Sequence, residues 1–223
     1  MEDSGKRKQE AFKPVKENDV IYPASRRDSM SIRNPEELKE VLSKPENLGK
    51  ALSRHTYGML SWVDLFGAKL PSVNGIETKI IVSRIVADNA RHSKLFSDRA
   101  KELGQNPQSY RPPEIGQEIY DLLDTYNDLF DCLAYALGSL VHFKELLELY
   151  ISVADSRSRE VLLEVKKDVE DHLSMLRGYF QSQADSNSKK DRAETIKTVA
   201  EDKYAEREEQ EINWYSLSDV PNV

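Results

Sequence analysis

The sequence predicts an all-α fold: a four-helix bundle of two antiparallel helical hairpins joined by a crossover, with mobile N- and C-terminal extensions. Three observations predict it. Apolar side chains recur at steps of three and four over most of positions 45 to 183. No segment of useful length alternates apolar and polar residues as a half-buried strand would. The connections run short, long, short, which pairs the helices two by two.

Residues 1–34 carry eight basic and six acidic side chains and few large apolar ones, and include Ser25-Arg-Arg-Asp-Ser-Met-Ser31. That composition buries too little apolar area to offset the entropy of ordering, so a mobile arm is expected. The bundle domain is expected over 35–183. Its first helix runs from Pro45 to about Leu70, with Leu48, Leu52, His55, Met59, Trp62 and Phe66 inward, until Pro71 and Gly75 break it. The second runs from Ile76 to about Leu103 with Thr78, Val82, Ile85, Asn89, His92 and Phe96 inward, and Gly104 suits its C-terminal cap. Three prolines between Gln105 and Pro113 exclude a helix there. Extended, that stretch spans about 30 Å at ~3.3 Å per residue, enough to run along the bundle and make the second and third helices parallel.

One long third helix is expected from Glu114 to about Val153, through Leu122, Tyr126, Leu129, Leu133, Ala136, Leu140, Lys144 and Leu147. The fourth covers about Asp155 to Gln183, capped by Asp155 or Ser156, with Leu162, Val165, Val169, His172, Leu176 and Phe180 inward. Positions 184–223 form a charged tail whose stretch Arg192–Glu211 is polar on nearly every face, so a helix there would need support from a partner. Apolar residues return at 212–220, where Trp214, Tyr215 and Leu217 either fold back on their own domain or dock on another subunit.

The chain has 223 residues, a formal charge of -7 and a single cysteine, Cys132. One cysteine excludes an internal disulfide framework and a Cys-rich metal site, which suits a reducing, cytoplasmic setting. No signal-like apolar stretch and no run of about 18 apolar residues is present, so no membrane association is expected. The acidic balance argues against binding to duplex phosphates, and the aromatics fall largely in the inferred core, so nucleic acid is not an expected partner. Glycine-rich phosphate loops, His-Glu-x-x-His and Gly-x-Ser-x-Gly are all missing.

The informative motifs are Asp88-Asn-Ala-Arg-His92 and Asp168-Val-Glu-Asp-His172, which set a histidine in the inward seam of the second and fourth helices. The string Ala87-Asp-Asn-Ala-Arg-His92 resembles the Asp-Glu-Ala-Arg-His string of ferritin-like di-iron proteins, with Asn89 in place of the glutamate. Lys167-Asp-Val-Glu-Asp-His-Leu173 is similar to the fourth-helix version. The core from about 45 to 183 also resembles, more loosely, the phenylacetyl-CoA oxygenase subunits. The resemblance implies a Glu from the first and third helices and Glu-x-x-His from the second and fourth. Position by position the chain supplies His55, Asn89, His92, Tyr135 or Ala136, Val169 and His172, so the ligand carboxylates are missing. Two iron ions in a low-dielectric core need about four carboxylates to neutralise them.

Three readings of these residues stay open. Asp88 and Asp168, one turn before each histidine, could join His55, His92 and His172 in a single iron, manganese or zinc site with mixed ligands, with Asn89 and Tyr135 outside the ligand set. They could instead sit at the seam edge, pairing with neighbours such as Arg91, while the histidines hydrogen-bond in the core and no cofactor binds. Or the polar groups could line a metal-free small-molecule pocket. His142 falls off the seam and is expected at the surface beside Glu145, and Cys132 reads as a packed thiol. The function expected is that of a ferritin-like protein with a lost or altered di-metal site, acting through a homo-oligomer or a protein partner. The alternative is a non-heme metal-dependent oxidoreductase or iron-binding protein.

Overall fold

The computed structural model describes residues 32–216. Among them lie α1 (Pro35–Leu42), α2 (Pro45–Lys69), α3 (Ile76–Glu102), α4 (Glu114–Thr125), α5 (Leu129–Val153), α6 (Ser156–Gln183) and α7 (Asn187–Ser216), and no strand. The arm at 1–31 and the last residues of the tail, Leu217 among them, lie outside the described residues.

The helices at 45–70, 76–103 and 155–183 form as their periodicity requires. Pro45 opens α2, where its missing N–H costs nothing. Gly75 (φ +94°) turns the chain into α3, and Gly104 (φ +81°) turns it out. Asp155 caps α6 by accepting from Arg157 N and Ser158 N at 2.9 and 3.0 Å. The α2–α3 and α5–α6 pairs are hairpins. Contacts of Asp88 with His172 and His92 with Asp168 make α3 and α6 antiparallel. Those of His55 with Tyr150 and Trp62 with Tyr135 do the same for α2 and α5.

Two expectations fail. The long third helix is broken: Tyr126 leaves helical geometry (φ -79°, ψ 94°), and the side chain of Asp128 caps a new helix by accepting from Phe130 N at 3.0 Å. The charged C-terminal part, expected as a mobile extension, is the 30-residue α7, laid parallel to α5 and antiparallel to α2. Its inward face combines small residues, Ala193, Ala200 and Ala205, with Ile196, Ile212 and Tyr215 and with buried Glu201, Arg207, Glu208 and Glu211. Such a face has almost no hydropathy period, and that is why it reads as polar. Close approach depends on Gly138, where a Cβ would stand 2.2 Å from the Lys197 carbonyl oxygen.

With α7 on one side and α6 on the other, α5 is central, and residues Asp131–Ser139 are all buried. Helix α1 packs near the start of the bundle against α2, α5 and α7, with Leu38 and Leu42 fully covered. The Asn34-Pro35 step marks its start, a signal present in the sequence. Cys132 is buried, as expected of a packed thiol, with Sγ donating to Tyr126 O at 3.2 Å. Among the described residues no helix is long and apolar enough to cross a membrane.

Candidate functional site

All four histidines of the chain, His55, His92, His142 and His172, line one cavity of about 80 Å³ between the helices. His92 and His172 enter it from α3 and α6, from seam positions that face each other across an antiparallel pair. Their rings lie 6.4 Å apart, and both are buried.

Each of these histidines is tied to the aspartate of the other motif. His92 Nε2 donates to Asp168 Oδ2 at 3.0 Å, and His172 Nε2 donates to Asp88 Oδ2 at 2.9 Å. Antiparallel packing of two identical spacings produces this reciprocity: residue i of one motif is level with residue i+4 of the other. Arginines close the set from outside, Arg91 on Asp168 and Glu164, and Arg84 on Asp88 and Asp171. Burial pushes both aspartates up, but hydrogen bonding and charge from His172 for Asp88, and from His92 and Arg91 for Asp168, outweigh it and leave both below the usual carboxylate range. Burial lowers both imidazoles despite those carboxylates, so each pair is a neutral N–H donating to an anion.

The other two histidines face a second polar layer, built by α2, α5 and α7. Glu211 sits at its centre, 2% exposed, with Arg54 Nε 2.7 Å from Oε2 and Arg207 Nε donating to Oε1 at 3.0 Å. Tyr110 OH donates to the same Oε1 at 2.8 Å, and Tyr215 OH reaches Oε2 at 3.4 Å. Burial alone would raise the Glu211 carboxyl; the two guanidiniums overcome it and hold the group ionised. Arg54 Nη1 also lies 3.0 Å from His55 Nδ1 and 3.2 Å from His55 Nε2, and that Nε2 is 3.1 Å from Tyr150 OH. Burial, then the charges of Arg54 and Arg207, push the His55 imidazole well down. His142, expected at the surface beside Glu145, is buried, and its Nε2 is 3.2 Å from Glu208 Oε2. Neither Glu208 oxygen accepts a hydrogen bond, nor does the buried Tyr135 hydroxyl make one, among the described residues.

The expected site residues thus divide. His55, Asn89, His92 and His172 reach the cavity, while Asp88 and Asp168 do not line it and pair with the histidines from outside. Tyr135 is buried beside Trp62, Tyr126 and Tyr204. Trp214 and Tyr215 pack on their own domain, Trp214 on Tyr110 and the Tyr215 carbonyl on Lys50 Nζ. Sequence reasoning missed Arg54, Arg207, Glu208 and Glu211. The only signal was indirect: a helix as apolar all round as Leu129–Phe143 must be covered on every side.

A di-metal centre does not fit these residues. The metal-facing nitrogens of His92 and His172 are hydrogen-bonded to Asp168 and Asp88, whose charge is answered by Arg91 and Arg84. At that level α2 offers His55, bound to Arg54 and Tyr150, and α5 offers Ala136 and Ser139, neither a carboxylate. No group of three or more His, Cys, Asp or Glu side chains among the described residues is arranged to hold a metal ion. No family model, no curated protein and no solved structure matches the chain.

Proposed function

We propose that this protein is a ferritin-like bundle whose di-metal centre has been replaced by hydrogen-bonded histidine–aspartate pairs, and that it acts by binding, through subunit or partner contacts, instead of by oxygen chemistry. The arrangement of α2, α3, α5 and α6 supports the first part: two hairpins, a crossover between them, and α2 against α5 and α3 against α6, each antiparallel. Proteins of that superfamily place Glu-x-x-His pairs on the helices that α3 and α6 would represent. The observation that carries the loss of metal is the reciprocal pairing of His92 with Asp168 and His172 with Asp88, sealed by arginines. A guanidinium occupies the side from which a cation would be neutralised, and like charges in one site repel.

One feature favours a second reading. Two imidazoles and two carboxylates do lie in one layer between α3 and α6, and a single ion could take them by displacing their mutual hydrogen bonds. Elemental analysis of untagged full-length protein separates the two. The proposal expects well under one transition metal per chain, unchanged in a His92→Ala, His172→Ala variant. Stoichiometric iron, manganese or zinc that disappears in the variant refutes it.

A further inference from the structure

We infer that the histidine-lined cavity is a binding site for a small uncharged molecule with an apolar body and one hydrogen-bonding end. This rests on the reading that no metal centre fills the space. The lining of the cavity is mixed: Phe66, Ile85, Ile119, Leu123, Phe143 and Leu146 are apolar, and His55, Asn89, His92, Ser139, His142 and His172 are polar. A ligand buried there must match both kinds of lining, since a buried polar group left without a partner is unfavourable.

Charge on the ligand is selected against. Arg54 and Arg207 are the cations at the cavity, and both are engaged by Glu211, Arg207 also by Tyr110. An incoming carboxylate would lose its water and meet Glu211 and Glu208 behind those arginines, with no free counter-charge to receive it. Burial disfavours the charged imidazolium of His55, His92 and His172, so the polar part of the lining carries no cation beyond those two arginines, while Asn89 and Ser139 are uncharged groups able to pair with an alcohol, amide or carbonyl. Size follows from the volume. A cavity of about 150 Å³ admits benzene with its six carbons, so about 80 Å³ encloses about three to four non-hydrogen atoms, and a body as long as a butyl chain would extend further beneath α4. Helix α4 supplies Gly116, Ile119, Tyr120 and Leu123 to the wall and is joined at both ends by non-helical chain, Arg111–Pro113 and Tyr126–Asp128.

Gly58 gives a direct test. It lines the cavity in the middle of α2, and a Cβ built on it meets no atom within 4 Å. Gly58→Leu therefore sets its Cβ in open space at the cavity lining and replaces a poor helix former by a good one. The experiment titrates 1-butanol and, separately, butyrate into full-length protein of measured metal content, reading the imidazole ¹⁵N and ¹H resonances of the four histidines. Butanol is expected to shift them saturably with half-saturation in the millimolar range, butyrate at least tenfold more weakly, and butanol on Gly58→Leu at least tenfold more weakly with the fold intact. No saturable shift by butanol, butyrate binding as tightly as butanol, or undiminished binding by Gly58→Leu overturns the inference. Metal found beforehand counts against the reading of the previous section only, because the titration reports on the cavity whatever the metal content.

Discussion

Replacing Glu211 by Gln tests how the buried charge network holds α7 to the bundle. The carboxylate takes Arg54 at 2.7 Å, Arg207 at 3.0 Å and Tyr110 at 2.8 Å, and all three side chains are nearly inaccessible. Glutamine keeps the shape but removes the charge, and its amide N–H groups would face guanidinium N–H groups. Two buried cations would lose their counter-charge, a change that costs about 3–5 kcal/mol. For a domain of this size each kcal/mol moves the thermal midpoint by roughly 2–4 °C, so a drop of about 6–20 °C is expected. Circular dichroism of the full chain measures both, the free-energy loss by urea denaturation and the midpoint by a thermal scan. Glu209→Gln, two residues away in an exposed pair with Arg33, is the control and should cost about 0–1 kcal/mol. Replacing the whole set by apolar residues, Arg54→Met with Arg207→Met and Glu211→Leu, should restore much of the loss, because no charge is then left unpaired. A Glu211→Gln loss as small as that of the Glu209 control would refute the reasoning.

The histidines set the response to acid. Burial lowers His55, His92 and His172 in the folded chain, whereas the unfolded chain protonates them near about 6.5, so the unfolded state binds more protons below that value. Stability should fall as pH drops through about 6.5, and fall further below about 4 as Asp88, Asp168 and Glu211, all lowered, lose their charges. A urea midpoint no lower at pH 5.5 than at pH 7.5 would contradict this. Gly138→Ala should destabilise by about 1–3 kcal/mol despite its better helix propensity, because the new methyl meets main chain of α7 at 2.2 Å and the helix must move. A variant as stable as the parent in the same denaturation assay would show that α7 does not pack so closely.

How much was legible depends on what each helix buries. Helices α2, α3 and α6 each turn one apolar stripe inward, as their seams at Leu52, Val82 and Leu162 show, and a stripe is a periodic signal that a sequence displays openly. The same periodicity placed His55, His92 and His172 inward correctly. It could not show that Asp88 and Asp168 exchange histidines, because that depends on the level at which α3 and α6 meet. His142 was misplaced for a related reason. A stripe rule assumes one buried face, and α5 has two.

The sequence by itself determined an all-α chain, the two hairpins, the inward histidines and the missing carboxylates, since each follows from local spacing and residue type. Only the tertiary structure decided that the charged tail is a core helix and that Arg54, Arg207 and Glu211 form one buried unit. Glu211 lies 157 residues after Arg54 in the chain. A charge can be buried only beside its partner, so whether a charged helix face is solvated or internal is settled by the element packed against it.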